Sequence, residues 1–235
     1  MSWTESIDGY CERTDPSFWS EPVNALTNLS FVVAAVVTAR MARRAGDRSA
    51  LLLAVCAGSI GVGSYLFHTL ATRWSMHADV WPIRVFVLLF LVLAVVRFLR
   101  APVWVGLAAA AGFVAVTAAT IAAGRTLGLT LNGSIGYATV PVAMAAMAAL
   151  TAREDRRSSR ALLAIAAVFV VSLGFRTVDR ELCAALPLGT HFGWHLLNGV
   201  VAGTMIALYV RKGQDRPASS GSPRATRPAG SPAPR

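Results

Sequence analysis

Charged residues are scarce in this chain of 235 residues. Only 14% of the residues are charged, whereas 55% are hydrophobic. Soluble domains carry about 25% charged residues, so the composition excludes an ordinary soluble protein. The bilayer is therefore the expected solvent. Because the bilayer core admits only structures that satisfy their own backbone hydrogen bonds, the long runs of Ala, Leu and Val must form helices.

Cysteines are also few, and no two of the three form a CxxC pair. This excludes a zinc ribbon and a thioredoxin-like redox motif. Cys56 lies inside an apolar run, where a packing role is expected. Cys11 and Cys183 lie in polar segments that the topology below places outside the membrane, in a compartment that permits disulfides. We therefore expect a bridge between these two residues.

A basic surface for nucleic acid is missing as well. The formal net charge is +10, but the arginines lie in short loops and in a Pro/Ser/Gly/Arg-rich tail, where membrane proteins usually carry them. The sequence shows no aromatic-rich basic face of the kind that stacks bases. We therefore expect no nucleic-acid partner. We also expect no cleavable signal peptide, because the segment before the first apolar run is acidic.

Seven apolar stretches are each long enough to cross a membrane, which takes roughly 20 residues. The predicted fold is therefore an all-α integral membrane protein, a seven-transmembrane helix bundle. The fifth stretch is the weakest, because Gly133, Gly136 and Pro141 interrupt it. The predicted spans are 24–40, 50–70, 80–99, 102–123, 134–150, 161–177 and 191–210.

The charges of the loops predict the orientation of the chain. The positive-inside rule places the basic first, third and fifth loops and the basic tail in the cytoplasm. Residues 1–23 then form an acidic extracytoplasmic segment, 24–212 the seven-span domain, and 213–235 a disordered cytoplasmic tail, at the plasma (inner) membrane. The basic residues are Arg40, Arg43, Arg44, Arg48, Arg97, Arg100, Arg153, Arg156, Arg157, Arg160, Arg211 and Lys212.

Three histidines are placed to meet at one end of this bundle. The sequence GSYLFHTLATRWSMHADVW puts Ser64 and His68 one helical turn apart at the outer end of the second span. The seventh span opens with HFGWH, which puts His191 and His195 on one helix face. On the predicted topology all three histidines reach the same depth, so three imidazoles can share one ion.

The ion that three imidazoles suggest is zinc. Tetrahedral zinc with three protein ligands keeps its fourth position for water, and such a water can lose a proton near neutral pH and attack a carbonyl. A lone histidine at this depth is more often a structural residue of the interface. Three histidines at matched depth instead favour a functional role, because ionisable groups inside a membrane are costly.

Asp79 opens the third span near the depth of His68. It could be a general acid/base or an acceptor that orients an imidazole, and the structural alternative is a helix N-terminal charge favoured by the macrodipole. Ser64 could donate to a developing oxyanion or bond to its own helix backbone. His77 is expected in a short outer loop, in contact with solvent.

The N-terminal segment carries four carboxylates, on Asp8, Glu12, Asp15 and Glu21. They suit a hard cation such as calcium, which takes about six to eight oxygen ligands, but the spacing is not that of an EF-hand. A solvated acidic face explains them equally well, and the residues alone leave both interpretations open. A polar helix face toward the bundle interior is expected from Glu21, Asn24, Thr27 and Asn28.

These motifs resemble the alkaline ceramidases and their bacterial relatives, within the seven-transmembrane CREST hydrolase superfamily that includes the adiponectin-type receptors. The resemblance covers residues 8 to about 210. YCERTDPSFWSEPVNALTN resembles the acidic N-terminal signature of the family, GSYLFHTLATRWSMHAD its Ser-xxx-His followed by Asp, and THFGWH its His-xxx-His.

The resemblance implies a role for each matching residue. It implies zinc on His68, His191 and His195, Ser64 near the oxyanion, and Asp79 as the proton-transfer residue. It also implies the Cys11–Cys183 bridge. The implied calcium ligands are Asp8, the Tyr10 carbonyl, Glu12, Thr14 and Glu21, with Thr14 in place of an amide side chain and Asp15 as its substitute.

The function expected from residues and resemblance together is a zinc-dependent amide hydrolase. It would cleave the N-acyl bond of ceramide or a related N-acyl lipid to a fatty acid and an amine (sphingoid base), with membrane lipid as its partner. One alternative is a seven-span receptor or transport-like protein with a structural metal. A b-type haem protein is disfavoured, because histidines gathered on one side do not make an axial pair.

Overall fold

The computed structural model describes residues 2–215, which form a bundle of α-helices. Consecutive helices pack against each other, and the last helix packs on α2 and so closes the bundle. The helices are α1 (Pro22–Thr27), α2 (Leu29–Arg44), α3 (Arg48–Leu70), α4 (Arg73–Phe98), α5 (Val103–Thr126), α6 (Thr139–Thr151), α7 (Arg156–Val178) and α8 (His191–Gln214), with short 3-10 helices at Leu131–Tyr137 and Arg180–Leu182.

Seven of the helical segments in the described part of the chain are long and apolar enough to cross a membrane. Helices α1 and α2 together form the first segment, and the 3-10 helix Leu131–Tyr137 with α6 forms the fifth. The prediction of an all-α, seven-span membrane protein is therefore confirmed. The tail predicted to be disordered lies, from residue 216 onward, outside the described residues.

The third span begins earlier than hydropathy predicted. It starts at Arg73 rather than at residue 80, because Thr72 and Ser75 form a capping box that satisfies the first free amides of the helix. The prediction that His77 lies in a loop is therefore wrong. Its ring lies within α4 and contacts Trp3 edge-on, with 5.5 Å between ring centroids.

Helix α8 is the centre of the bundle. In its most apolar window 61% of the residues are buried, against 6% in α5, which lies at the periphery. Besides α2 and α7, α8 contacts α3 and α4. Side chains that α8 presents to its neighbours therefore point into the interior, and this places His191 and His195 there.

The N-terminal segment covers one end of the bundle, at the helix ends that carry His68 and His191. The amide of Ile7 donates to the Ala71 carbonyl (2.7 Å), and the Cys11–Cys183 disulfide ties the segment to the α7–α8 connection. The expected bridge is thus confirmed. We call this end, formed by residues 2–21, the α3–α4 connection and the α7–α8 connection, the histidine end.

Ion pairs close the opposite end of the bundle. Arg97 pairs with Asp47, and its guanidinium lies 3.6 Å from the Tyr209 ring centroid. Lys212 pairs with Asp155 at 2.7 Å. Asp155 also caps α7 through the Ser158 amide, and although burial opposes ionisation, these hydrogen bonds hold the pKa of Asp155 well below its usual range.

Two glycines let helices approach each other closely. A Cβ on Gly63 of α3 would collide with the Ala78 carbonyl of α4, and a Cβ on Gly199 of α8 would collide with Ser30 of α2. In the first contact, Gly63 lies five residues before His68 and Ala78 lies one residue before Asp79. This contact therefore sets how closely the side chains of His68 and Asp79 approach each other.

Gly63→Ala tests that contact. We expect it to lower the free energy of unfolding by about 1–3 kcal/mol, because the added methyl group meets backbone that has no room to shift. Thermal unfolding of the detergent-solubilised protein measures this. Gly112→Ala in α5 is the matched control, since a Cβ there meets no atom within 4 Å. An unchanged Gly63→Ala midpoint would contradict the expectation.

Candidate metal centre

Three histidines from two helices meet at the histidine end. The metal-binding atoms that His68, His191 and His195 offer all lie within 4.8 Å of one another. The ring centroid of His68 lies 5.2 Å from that of His191 and 4.6 Å from that of His195. All three side chains are at most 1% exposed. The structure thus brings together the three residues that the sequence singled out.

Separate contacts fix two of the imidazoles. His68 Nδ1 lies 2.6 Å from Glu21 Oε2, which leaves its Nε2 for another ligand. His195 Nδ1 lies 3.1 Å from the Thr27 hydroxyl. Carboxylate and hydroxyl partners of this kind orient imidazoles that hold a metal. The polar face predicted for the first span therefore contributes to the site, because it carries Glu21 and Thr27.

Stacking holds the third imidazole. The His191 ring lies flat on the Tyr10 ring, with 3.6 Å between centroids and 16° between planes. Tyr10 is itself buried, and burial raises the pKa of its phenol well above the usual value, although the Arg176 charge acts in the opposite direction. A neutral phenol ring thus covers one side of the histidine cluster.

The histidine nitrogens that remain fit a metal ion. Among the described residues, His68 Nε2 and His191 Nδ1 are buried and accept or donate no hydrogen bond. Buried polar atoms without a partner are rare and costly, so these two nitrogens call for a ligand. Neutral imidazole nitrogens suit zinc and other transition metals. These residues therefore fit the ion that the sequence analysis suggested.

A buried carboxylate positions the start of α8. Asp179 Oδ1 accepts the backbone amides of Thr190 (2.6 Å) and His191 (2.9 Å), and its Oδ2 accepts the amide of Cys11 (3.1 Å). Amides at a helix start lack partners within the helix, and an ionised acceptor satisfies them well. Asp179 thereby joins the N-terminal segment to the helix that carries two histidines. Sequence reasoning missed this residue.

Ser64 and Asp79 lie beside the histidines. Both side chains are buried, and Ser64, His68 and Arg176 are the groups that act on the Asp79 carboxyl. Asp79 is 8% exposed, and its Oδ1 accepts no hydrogen bond from any residue between 2 and 215. An acceptor left open in this way is free to take a proton or bind a water.

Arg176 is a cation of this site that the sequence analysis did not single out. Its Nη1 donates to the Tyr10 hydroxyl at 2.6 Å. The guanidinium carbon lies between 5.4 and 5.6 Å from the ring centroids of Tyr10, Tyr137 and Trp194. An arginine inside an apolar helix is costly and marks function by default, so the predicted span 161–177 already held the signal.

The residues expected to bind calcium do not form such a group. Glu12 accepts the amides of Val23 (2.7 Å) and Asn24 (2.8 Å) and so caps α1. Asp8, Thr14 and Asp15 are exposed. Glu21 is engaged by His68 and by an arginine, and the Tyr10 carbonyl accepts the Arg13 amide at 3.3 Å. As placed, these side chains do not fit a calcium site.

Burial and hydrogen bonds have opposite effects on the pKa values of Glu12 and Glu21. Burial raises the pKa of Glu12 above its usual value, because the two backbone amides compensate it only in part. Burial also opposes ionisation of Glu21, but hydrogen bonds from His68 and Arg13 hold the pKa of Glu21 below its usual range. Glu21 is therefore an anion that faces an imidazole.

Asp179→Asn tests how α8 is positioned. We expect the free energy of unfolding to fall by about 2 kcal/mol, because an amide replaces a carboxyl group whose two oxygens accept three backbone N–H groups. Thermal unfolding measures this, and thiol labelling measures exposure of the Cys11–Cys183 bridge to reductant. Asp155→Asn removes a comparable cap at the opposite end and should leave the bridge unchanged. Equal protection of the bridge in both variants would contradict the assigned role.

A family model described as Ceramidase matches residues 4–220, which is most of the chain. A search of curated proteins found no match.

Proposed function

Because the chain belongs to the ceramidase family, and is thus a hydrolase of N-acyl amide bonds, we propose that it is a zinc-dependent membrane enzyme. Its substrate would be ceramide or a related N-acyl lipid, which it would cleave to a fatty acid and an amine, a sphingoid base in the case of ceramide. The observation that carries this proposal is the cluster of three buried imidazoles with nitrogens left open among the described residues.

His68, His191 and His195 would hold the zinc ion. When bound, zinc would supply Lewis-acid chemistry, polarising a carbonyl and lowering the pKa of water. Glu21 would keep His68 in one tautomer by accepting its Nδ1 proton, and Thr27 would orient His195. The Tyr10 ring would exclude water from the side of the cluster that it covers.

Asp79 would move the proton during hydrolysis. Water adds its oxygen to the amide carbonyl, the carbon–nitrogen bond breaks, and the leaving nitrogen takes up a proton. The open Oδ1 of Asp79 supports a role as the group that accepts this proton from water and delivers it to nitrogen. Ser64 would donate a hydrogen bond to the carbonyl oxygen as charge develops there.

An apolar cavity next to the site supports a lipid substrate. Its walls are almost entirely apolar. Trp194 lines it and precedes His195, and Ile83 lines it one turn after Asp79. Along α4 the lining continues from Ile83 to Phe98, a length of about 22 Å at the helical rise. A long acyl chain would lie in this cavity with its amide at the histidines.

Two observations support an orientation with the histidine end outside the cytoplasm. The disulfide lies at that end, and disulfides persist in oxidising compartments. Arg97 and Lys212 lie at the opposite end, as the positive-inside rule requires of the cytoplasmic side. The N-terminus would then be outside, the C-terminus cytoplasmic, and the protein would lie in the plasma (inner) membrane. Substrate would enter from the outer leaflet.

Asp79→Asn separates catalysis from metal binding. We expect it to retain zinc at one ion per chain and to lose about 10²–10⁴-fold in release of fatty acid from ceramide, because the proton acceptor is gone. His195→Ala should lose zinc and activity together. Metal analysis and a fatty-acid assay measure both quantities.

His77→Ala is the control for these variants, because His77 lies two residues from Asp79 but contacts Trp3 instead. It should keep both zinc and activity. Full turnover by Asp79→Asn would contradict the proton-transfer role. If zinc-loaded wild type released no fatty acid from any N-acyl lipid, the structural-metal receptor or transporter would be the better interpretation.

Ala94→Phe tests the cavity. Ala94 is 2% exposed and lines the cavity far from Asp79, so a phenyl ring there should shorten the space for the acyl chain. We expect the ratio of kcat/KM for short-chain over long-chain substrates to rise about tenfold or more, the effect of a few lost methylene contacts. Val85→Phe on the exposed face of the same helix is the control and should leave the ratio unchanged. An unchanged ratio in Ala94→Phe would place the acyl chain elsewhere.

A further inference from the structure

Arg13 is buried at the point where the N-terminal segment turns from buried to exposed. Its side chain is 2% exposed, whereas residues 14–19 that follow it are exposed. A guanidinium carries five N–H donors, and taking it out of water is costly unless those donors are satisfied. The partners of Arg13 therefore show what this position is built to do.

Every partner of the Arg13 side chain is an oxygen atom. Nε donates to Glu21 Oε1 at 2.5 Å, and Nη2 donates to the His68 carbonyl at 3.0 Å. Nη1 donates to the carbonyls of Asp15 (3.0 Å) and Ser17 (3.3 Å). One carboxylate and three carbonyls thus surround a positive charge. Carboxylate and carbonyl oxygens are also what a calcium ion takes as ligands.

We propose that Arg13 is the built-in cation of this oxygen-lined pocket, so that the chain binds no calcium there and does not depend on calcium. The guanidinium fills the space between Glu21 and the carbonyls, and a divalent cation would have to lie against a buried like charge. Of the residues that would complete a calcium shell, Glu12 is engaged elsewhere, by the α1 amides, and Asp8 and Thr14 are exposed.

The Arg13 guanidinium also helps to position the metal centre, through its contact with Glu21. Arg13 holds one carboxylate oxygen of Glu21, and the other oxygen faces His68 Nδ1 at 2.6 Å. Arg13 further holds the backbone carbonyl of His68. It is thus a positioning residue that fixes both the ring and the backbone of one histidine. This part of the inference rests on the proposed zinc site, whereas the absence of calcium binding does not.

Calcium binding by the wild-type protein is the first test. The full chain in nanodiscs is stripped of calcium on a chelating resin, reloaded with zinc, and titrated with radioactive calcium in equilibrium dialysis. We expect no saturable binding, no calcium-dependent change in Tm, and the same zinc affinity with and without calcium. Saturable binding of calcium, or a rise in Tm with calcium, overturns the proposal.

Arg13→Gln and Arg13→Lys test the charge. Glutamine removes it and lysine keeps it, so we expect zinc affinity to fall about 10–100-fold in Arg13→Gln and distinctly less in Arg13→Lys. Competition with a chromogenic chelator measures the affinity. Equal losses in the two variants would show that the charge is irrelevant and would overturn the proposal. Arg73→Gln, which removes a half-exposed pair with Glu5 in the same region, is the control and should bind zinc as wild type does.

The outcomes separate this inference from the proposed function. If the wild-type chain holds no zinc, the proposed function fails while the calcium titration still decides the first claim. If it holds zinc and also binds calcium, the inference about Arg13 alone fails. Should Arg13→Gln not fold, as judged by formation of the Cys11–Cys183 bridge, the wild-type calcium titration decides.

Discussion

The burial of three imidazoles at one point is the constraint on which the rest of this structure depends. Each of them is at most 1% exposed, and two carry nitrogens that no described residue satisfies. Unsatisfied buried nitrogens cost free energy, so they do not themselves hold the rings in place. Glu21, Thr27 and Tyr10 supply that support from the N-terminal part of the chain. The segment before the first span is thus a working part of the site.

Four carboxylates are buried at the histidine end, and they differ in how completely their oxygens are hydrogen-bonded. Glu12 and Asp179 accept backbone amides, and Glu21 is held by Arg13 and His68. Within residues 2–215, Asp79 is the one of the four with a buried oxygen that has no hydrogen-bond partner. Structural carboxylates in a low-dielectric site are neutralised by donors, whereas a group that must exchange protons has to keep an acceptor free. The open oxygen of Asp79 thus supports the proton-transfer role proposed for it.

The seven spans and the family follow from the sequence, because apolar length and motif spacing are local properties of the chain. The disulfide was expected because the predicted topology places Cys11 and Cys183 on the same side of the membrane and because the resemblance implies it. The structure then brings His68, His191 and His195 together as spacing and topology suggested. The start of the third span was missed, because a capping box at Thr72 overrides hydropathy. The partners of Glu21 and Asp179 were missed for another reason. They are contacts between residues 47 and 168 positions apart, which no local pattern encodes.

The Cys11–Cys183 bridge joins residues 172 positions apart and so spans nearly the whole chain between the first and last membrane segments. The site draws on Glu21 before the first span, His68 in the second, and His191 in the seventh. During synthesis it therefore stays incomplete until the final helix has entered the bilayer. A chain that ends before α8 lacks two of the three clustered histidines. The nascent protein therefore cannot hydrolyse its substrate until its insertion is finished.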